Sequence, residues 1–448
     1  MVTQHNPPLE TNDDAFAPAP FQTSDELDRM LGDCVHCGFC LPTCPTYSLW
    51  GEEMDSPRGR IHLVEQAARS GQLPESTVGH LDACLGCMAC VTACPSGVKY
   101  DQIIERARAE VETTHQRPRG QRALREAIFA LFPYPRRLRV MRGPLAVYQR
   151  SGLQRLLRRS GLLERLPNTL QTMEGVAPTI RSRTSLPERV PAQGTRRAVV
   201  GMLTGCVQRE FFPGVNDATA RVLAAEGCDV VVPQSQGCCG ALSVHSGRKA
   251  EAQRFARRLL DSFADAGVEW VVVNSAGCGS SMKEYAELLA DDPRYAEAAA
   301  GFAAKVRDIT ELLVELGPVA TRHALPVTVA YHDACHLAHA QGVRTPPRDL
   351  LNAIPELTVM EIGEGGMCCG SAGVYNLLNP RPARQLGDRK AEHVAATGAD
   401  LLVTANPGCL LQISSALGRA GTSMSTAHTV EVLDASIAGH PSTSLTDR

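Results

Sequence analysis

The chain has few aromatic residues, 4% of its 448 positions with only two tryptophans, and little net charge, −3. Near-neutrality excludes a global pull toward nucleic acid or anionic lipid. No stretch approaches the ~20 consecutive apolar residues that span a bilayer. The opening segment, MVTQHNPPLETNDDAFAPAP, is polar, acidic and proline-rich, with no basic run leading into an apolar one. It reads as a disordered tail rather than a secretory signal, and the expected location is the cytoplasm. Three motifs are also missing: a GxGxxG turn opening a helix after a strand, a phosphate-binding P-loop and a nucleophile elbow. The glycine-rich GEGGMCCG runs into cysteines and is not read as a phosphate loop. No residue is therefore assigned a catalytic role. The length suits two or three domains.

What the chain does have is cysteine, seventeen in all. In a large chain without a secretory signal, metal binding is the better reading than a disulfide scaffold. Cys34, Cys37, Cys40 and Cys44 precede Pro45, and fifty residues later Cys84, Cys87, Cys90 and Cys94 precede Pro95 in the same spacing. This is the bacterial ferredoxin run for [4Fe–4S] clusters. Three thiolates at i, i+3 and i+6 let one loop wrap three corners of a cubane, and the fourth points to the neighbouring cluster. The ligand sets are assigned crosswise: Cys34, Cys37, Cys40 and Cys94 for one cluster, Cys84, Cys87, Cys90 and Cys44 for the other. Zinc sites favour separated pairs of ligands instead.

Between the frames, SPRGRIHLVEQAARSG predicts a helix with Ser56 as cap, Pro57 in the first turn, Gly71 at the end and Ile61, Val64 and Ala68 on the apolar face. YDQIIERARAEVE predicts another, so the clusters sit on a mainly helical module. No cysteine falls between 116 and 195. Nine arginines and one acid, Glu164, fall within residues 136–165. This basic amphipathic stretch reads as a solvated arginine face or a contact for an acidic partner subunit, ahead of a membrane-surface contact. PTIRSRTSLPERVPAQGTRR follows as a loop-rich linker.

The other cysteines form a second repeat. Cys206, Cys238, Cys239 and Cys278 make one frame, and Cys335, Cys368, Cys369 and Cys409 the other, offset by about 130 residues. Such a match is an internal duplication. Each half alternates β-rich runs (RAVVGMLTGC, CDVVVP, VEWVVVNSAGC; PVTVAYHDAC, LTVMEI, DLLVTANPGC) with amphipathic helices, which predicts α/β halves with parallel sheets. The cysteines then follow strand C-termini, where open α/β sheets place ligands. The glycine of each Cys-Cys-Gly allows close backbone approach to a large cofactor. A vicinal disulfide or buried free thiols are the alternatives to iron–sulfur binding in at least one frame. Cys228 has no counterpart and is expected in the core. His332, His336 and His339 lie around Cys335 and are read either as tuning or protonating a site or as structural, and His245 likewise.

On CVHCGFCLPTCPTY, DSPRGRIHLVEQA, HLDACLGCMACVTACPSGVKY, GCVQ, CCGALSVH, NSAGCGSSMKEY, YHDACHLAHAQGVR, CCGSAGVYN and HTVEVLD, the chain resembles the iron–sulfur subunits of bacterial glycolate oxidase (glycolate dehydrogenase) over residues 25–437. The resemblance implies an oxidoreductase subunit with two [4Fe–4S] clusters and further iron–sulfur centres in two cysteine-rich CCG domains. Its partners would be FAD-containing subunits that oxidise a 2-hydroxyacid, and its electrons would go on to a quinone or other membrane acceptor. A peripheral position at the inner face of the membrane fits that acceptor. The counterparts for lactate or anaerobic glycerol-3-phosphate oxidation are close alternatives. Heterodisulfide reductase subunits carry related frames ending in C-x-x-C. Here Ser275 and Asn406 stand at the earlier position of that pair, which argues against a noncubane cluster with bridging thiolates and against a thiol/disulfide reductase. A four-thiolate cluster per frame, or one shared between frames, remains open.

The expected fold class is α+β multidomain: a mainly helical ferredoxin-like domain followed by two duplicated α/β CCG domains. The expected boundaries are a tail over 1–22, the twin-cluster domain over 23–115, an arginine-rich helical connector and linker over 116–195, CCG domains over 196–320 and 321–440, and a tail over 441–448.

Overall fold

A computed structural model describes residues 19–182 and 185–447, so most of the expected N-terminal tail lies outside the described residues. The chain divides into two compact units, one of residues 1–123 with 245–248, the other of 124–244 and 249–448.

The first unit is helical apart from one antiparallel pair, β1 (Ala19–Pro20) with β2 (Gln72–Leu73). This pair and the buried Phe21 belong to the end of the stretch expected as tail. The helix Pro57–Ser70 forms as its signals dictate. Ser56 accepts a hydrogen bond from the Gly59 N–H, Pro57 opens the first turn, and Gly71 closes it at φ +67°. It buries Ile61, Val64 and Ala67; Ala67 takes the place expected for Ala68, because the buried stripe follows strict i+3 spacing. Gly59 is required by packing, since a Cβ there would lie 2.0 Å from the Glu53 carbonyl oxygen. Residues 245–248 dock on the helix Tyr100–Thr114: Arg108 donates to the His245 carbonyl at 3.0 Å, and the His245 ring pairs with Glu105 at 2.8 Å.

The second unit begins within the helix Arg119–Leu131 and continues through Pro135–Arg150, Leu153–Arg159 and Asn168–Gly175. Several connector arginines are paired: Arg139 with buried Glu210, Arg158 with Glu174, and Arg142 with the Arg181 carbonyl. Beside them Val140, Val147 and Leu156 are each more than 60% exposed.

Two sheets follow. The first contains β3 (Arg189–Val190), β4 (Ala198–Met202), β5 (Cys228–Val231), β6 (Trp270–Val273) and β7 (Val306–Asp308) in the order β3-β5-β4-β6-β7. The second contains β8 (Val327–His332), β9 (Leu357–Glu361), β10 (Leu401–Thr404) and β11 (Ser425–His428) in the order β9-β8-β10-β11. Apart from the antiparallel edge strand β3, every pairing is parallel and the two orders are the same. Such strands need crossover helices, and the amphipathic segments supply them. One apolar core runs through both halves, from Val200 and Leu223 to Val329, Val403 and Leu433. It extends to Leu445, fully buried on the helical turn Thr443–Thr446 inside the stretch expected as a C-terminal tail.

The duplication reaches the helix caps. Asp308 and His428 end the last strand of their halves, and each caps the next helix in a reciprocal box, with Glu311 and with Glu431. Burial holds His428 neutral, down to about 4. Its Nδ1 accepts from the Val430 N–H, and its Nε2 lies 2.8 Å from the Asn274 carbonyl. Protonating Nδ1 would break the cap. Because the folded-state value lies below the ordinary one, the unfolded chain binds more protons between about pH 6.5 and 4. Stability is therefore lost as pH falls through that window, by at most ~3 kcal/mol. Asp308, raised by burial to about 6, offsets part of this by favouring the protonated folded form. His428→Asn, which keeps a cap acceptor, should flatten the fall of thermal midpoint with pH. An unchanged slope would remove His428 from this account.

Candidate metal centres

In the first unit the two cysteine loops have the same backbone. His36 and Gly38 are left-handed in the first frame, and Gly86 and Met88 in the second, two and four residues after the first cysteine. The fourth cysteines match as well: Cys44 at φ −83°, ψ 119° and Cys94 at φ −82°, ψ 115°. A following proline disfavours the helical region for the residue before it, so Pro45 and Pro95 hold both cysteines extended. Cys44, Cys84, Cys87 and Cys90 are buried, Cys34, Cys40 and Cys94 are half-buried, and Cys37 is exposed.

Arg60 organises the buried group. It is 1% exposed. Its Nη1 donates to the Asp55 carbonyl at 2.6 Å and approaches the Cys44 sulfur at 4.0 Å, Nη2 reaches Asp55 Oδ1 at 3.1 Å, and Nε donates to the His80 carbonyl at 2.7 Å. Burial opposes the charge, but Cys84, Tyr100, Cys44 and Asp55 outweigh it and raise the Arg60 pKa. Cys84 responds in kind. Burial pushes its thiol up, yet Arg60 and Arg108, the Tyr100 hydroxyl and the Gly86 N–H bring it below the ordinary thiol range. A thiolate is the form that ligates metal. Burial, with Cys87, Cys84, Cys44 and Cys40 close by, raises Cys90. Cys44 of the first frame thus lies among the cysteines of the second.

In the second unit each frame closes on itself. Cys238 hydrogen-bonds with Cys206 and Cys239, and Cys239 with Cys278. In the other half Cys335 and Cys368 lie 4.0 Å apart, and Cys369 hydrogen-bonds with Cys368 and Cys409. All are free thiols, so neither vicinal pair is a disulfide. Thiol donors hold Cys335 and Cys369 well below the ordinary thiol range, with His336 beside the first and His332 beside the second. Their partners Cys368 and Cys409 move up correspondingly. Four sulfurs linked by contacts in each half, all buried but the half-buried Cys278, are a donor set that suits an iron–sulfur centre.

The glycine after each vicinal pair has φ +87° in both halves. A Cβ on Gly370 would lie 2.5 Å from the Ala383 carbonyl oxygen, and one on Gly240 3.1 Å from that of Ala252. The protein neighbour that crowds a side chain there is the next helix. Ser275 and Asn406 meet each other, with Ser275 Oγ 3.4 Å from Asn406 Oδ1, while Asn406 donates to the Cys409 sulfur at 3.4 Å. Cys228 is fully buried in the core.

The three histidines around Cys335 separate. His339 is held between the Gly366 carbonyl and Arg344. His336 Nδ1 lies 3.6 Å from the Cys335 sulfur. His332, fully buried, is grouped with Cys369 and Cys409, their donor atoms all within 4.8 Å of one another. Sequence reasoning left His332 undecided. Aligning the two halves would have singled it out, because Leu203 stands at its place in the first.

Family models match the same regions: a 4Fe-4S dicluster domain over 30–98, a linker region of the glycolate oxidase iron-sulfur subunit over 120–177, and a cysteine-rich domain twice, over 200–283 and 329–414. A probable glycolate oxidase iron-sulfur subunit from Bacillus subtilis is 41% identical across 88% of this chain and 90% of its own. This chain belongs to the glycolate oxidase iron–sulfur subunit family. The Escherichia coli member is 36% identical over 91% of this chain and 95% of its own. Lactate utilization protein A of Shouchella clausii is 32% identical but covers 52% of this chain, with 98% of its own length matched. A crystal structure of a hypothetical protein from Helicobacter pylori shares the fold at TM-score 0.55 and 9% identity, over 93% of this chain and 73% of that one. In this family member no helix of the described residues is long and apolar enough to cross a membrane.

Arg60→Met should strand Asp55 without its buried cation and cost about 3–5 kcal/mol, read as a lower thermal midpoint and iron loss in the full-length protein. The Asp55→Asn/Arg60→Met pair should recover part of the stability. A single variant as stable and iron-replete as the parent would remove Arg60 from this role.

Proposed function

We infer that this chain is the electron-transfer subunit of a glycolate-oxidising complex. A flavin-bearing partner takes two electrons from the α-carbon of glycolate, giving glyoxylate, and this chain carries them on singly toward a quinone or other acceptor. A [4Fe–4S] cluster supplies one-electron exchange when bound. The observation that carries this reading is the pair of ferredoxin-type frames with one shared backbone conformation, on a chain of the glycolate oxidase iron–sulfur family.

The ligand sets we assign are Cys34, Cys37, Cys40 and Cys94 for one cluster and Cys84, Cys87, Cys90 and Cys44 for the other. The approach of Cys44 to Cys90, and of Arg60 to both Cys44 and Cys84, supports the second set. Each CCG frame is assigned its own centre, because its four sulfurs converge within one half. The exposed Val140, Val147 and Leu156 among the connector arginines offer a mixed apolar and basic face for a partner subunit at the membrane's inner surface. A lactate-oxidising partner is the second reading, supported by the 32% match to lactate utilization protein A over about half the chain. A thiol/disulfide reductase is disfavoured by Ser275 and Asn406, which occupy each other rather than supply a further thiol to either frame.

Cys37→Ser and Cys87→Ser should each lower iron content by one cluster's share. Glycolate oxidation coupled to the natural acceptor should fall at least tenfold, while reduction of a dye that accepts directly from the flavin persists. Full iron in both variants would defeat the ligand assignment. Substrate-dependent reduction by the purified complex with lactate but not glycolate would select the second reading.

A further inference from the structure

The two CCG halves share strand order, caps and cysteine spacing, so differences between them at matched positions carry information. Two registers align them. In the first half Val200 pairs with Trp270, and in the second Val329 pairs with Leu401. This places Leu203 opposite His332, three residues before Cys206 and Cys335 respectively. The contacts of the CCG glycines align the next helices: Gly240 meets Ala252 and Phe255, and Gly370 meets Ala383 and Leu386. Leu259 then matches Lys390. Leu203 and Leu259 pack with Cys239 in one apolar cluster. The second half puts an imidazole and an ammonium at those places. His332 and Lys390 are 1% and 2% exposed, and Lys390 Nζ donates to the Glu364 carbonyl at 2.6 Å.

An imidazole is costly to bury unless its nitrogens are occupied. The His332 Nδ1 is buried with no hydrogen-bond partner. The histidine also forms, with Cys369 and Cys409, the one buried His/Cys group of the described residues whose donor atoms converge within 4.8 Å. A metal at that point would accept the lone pair of the ring nitrogen that faces the two sulfurs, in place of the hydrogen bond the ring makes with the Cys369 thiol. We propose that His332 is a nitrogen ligand to the iron–sulfur centre of the second CCG half, alongside Cys369 and Cys409, and that this centre is more readily reduced than its all-thiolate duplicate in the first half. The proposal rests on the reading that the CCG halves hold iron. The direction follows from charge. Both halves keep four thiols, and the second adds an imidazole and a buried ammonium where the first has Leu203 and Leu259. Where the imidazole takes an iron corner from one of those thiols, the centre is one negative charge poorer, which favours the added electron, as histidine ligation does elsewhere in iron–sulfur chemistry. The buried Lys390 ammonium acts in the same sense. Electrons entering the CCG pair then settle in the second half, across the Ser275–Asn406 contact that joins Cys278 to Cys409.

The test uses the full-length protein, reconstituted anaerobically, with only histidine labelled with nitrogen-15. Pulsed EPR of the reduced protein should show a strongly coupled, directly bound histidine nitrogen. The two N-terminal clusters have cysteine ligands and give none. In His332→Cys the coupling should vanish while iron content is retained, and the midpoint potential of that one centre should fall. His336→Ala should keep the coupling. An iron-replete protein without the coupling overturns the proposal and reduces His332 to a hydrogen-bond donor on the Cys369 sulfur. Persistence of the coupling in His332→Cys overturns it too. The wild-type spectrum decides even if that variant fails to fold. Iron analysis separates the two levels: if the protein holds no iron beyond the two N-terminal clusters, the reading of the CCG halves falls, and this inference with it.

Discussion

The buried guanidinium of Arg60 is the interaction on which the first unit turns. A cluster-binding protein must keep thiolates ionised in an apolar interior, where desolvation favours the neutral thiol. One cation placed among Cys44, Cys84 and Asp55 meets that demand for residues from both frames at once. The fork geometry of arginine lets it also satisfy the carbonyls of Asp55 and His80, so the charge is buried without stranded donors at those points. The DSPRGRI stretch is explained as one device. Asp55 supplies the counter-ion, Ser56 and Pro57 start the helix, Gly59 lets it press on Glu53, and Arg60 is delivered one turn in. A lysine could not reproduce this set of contacts.

The second unit solves the same problem differently. Among the described residues no arginine is buried against its sulfurs. The thiols contact one another in a chain in each half, and in the second half Cys335 and Cys369 are favoured as anions over Cys368 and Cys409. Backbone constraint replaces charge as the organising element. A left-handed glycine after each cysteine pair brings the pair against the next helix, tightly at Gly240 and too closely for a side chain at Gly370. The two units thus reach metal-binding geometry by separate physical routes within one chain.

Most of the architecture was legible because it rests on short-range rules. Cap, proline and glycine positions located the helix over 57–70, and cysteine spacing located both kinds of frame. Alternation of β-rich and amphipathic runs gave parallel α/β halves. What was not legible depends on contacts distant in sequence. The strand order, the edge strand β3 and the short strands β7 and β11 carry too few apolar residues to stand out. The role of Arg60 could not be read either, since nothing local distinguishes it from Arg58, which is half-buried and pairs with Glu53. The crowding of the glycine after each cysteine pair could not be read, because the contacting helix residues are twelve and thirteen positions further on. His332 stayed ambiguous beside His336 and His339 until the fold set one against two sulfurs and another against a carbonyl.

The continuous core of the second unit has a further consequence. Its two halves arose as copies, yet Val200, Leu223, Val329 and Leu433 now belong to one apolar body, and His428 of the later copy lies against the Asn274 carbonyl of the earlier. Each copy keeps an apolar cluster around its own cysteines, but the core between them is closed only by both together. Excising one would expose the apolar face of the other, so the halves can no longer be shuffled, deleted or traded as independent modules. Each is free to diverge in chemistry, as Leu203 and His332 have, only while the seam between them is preserved.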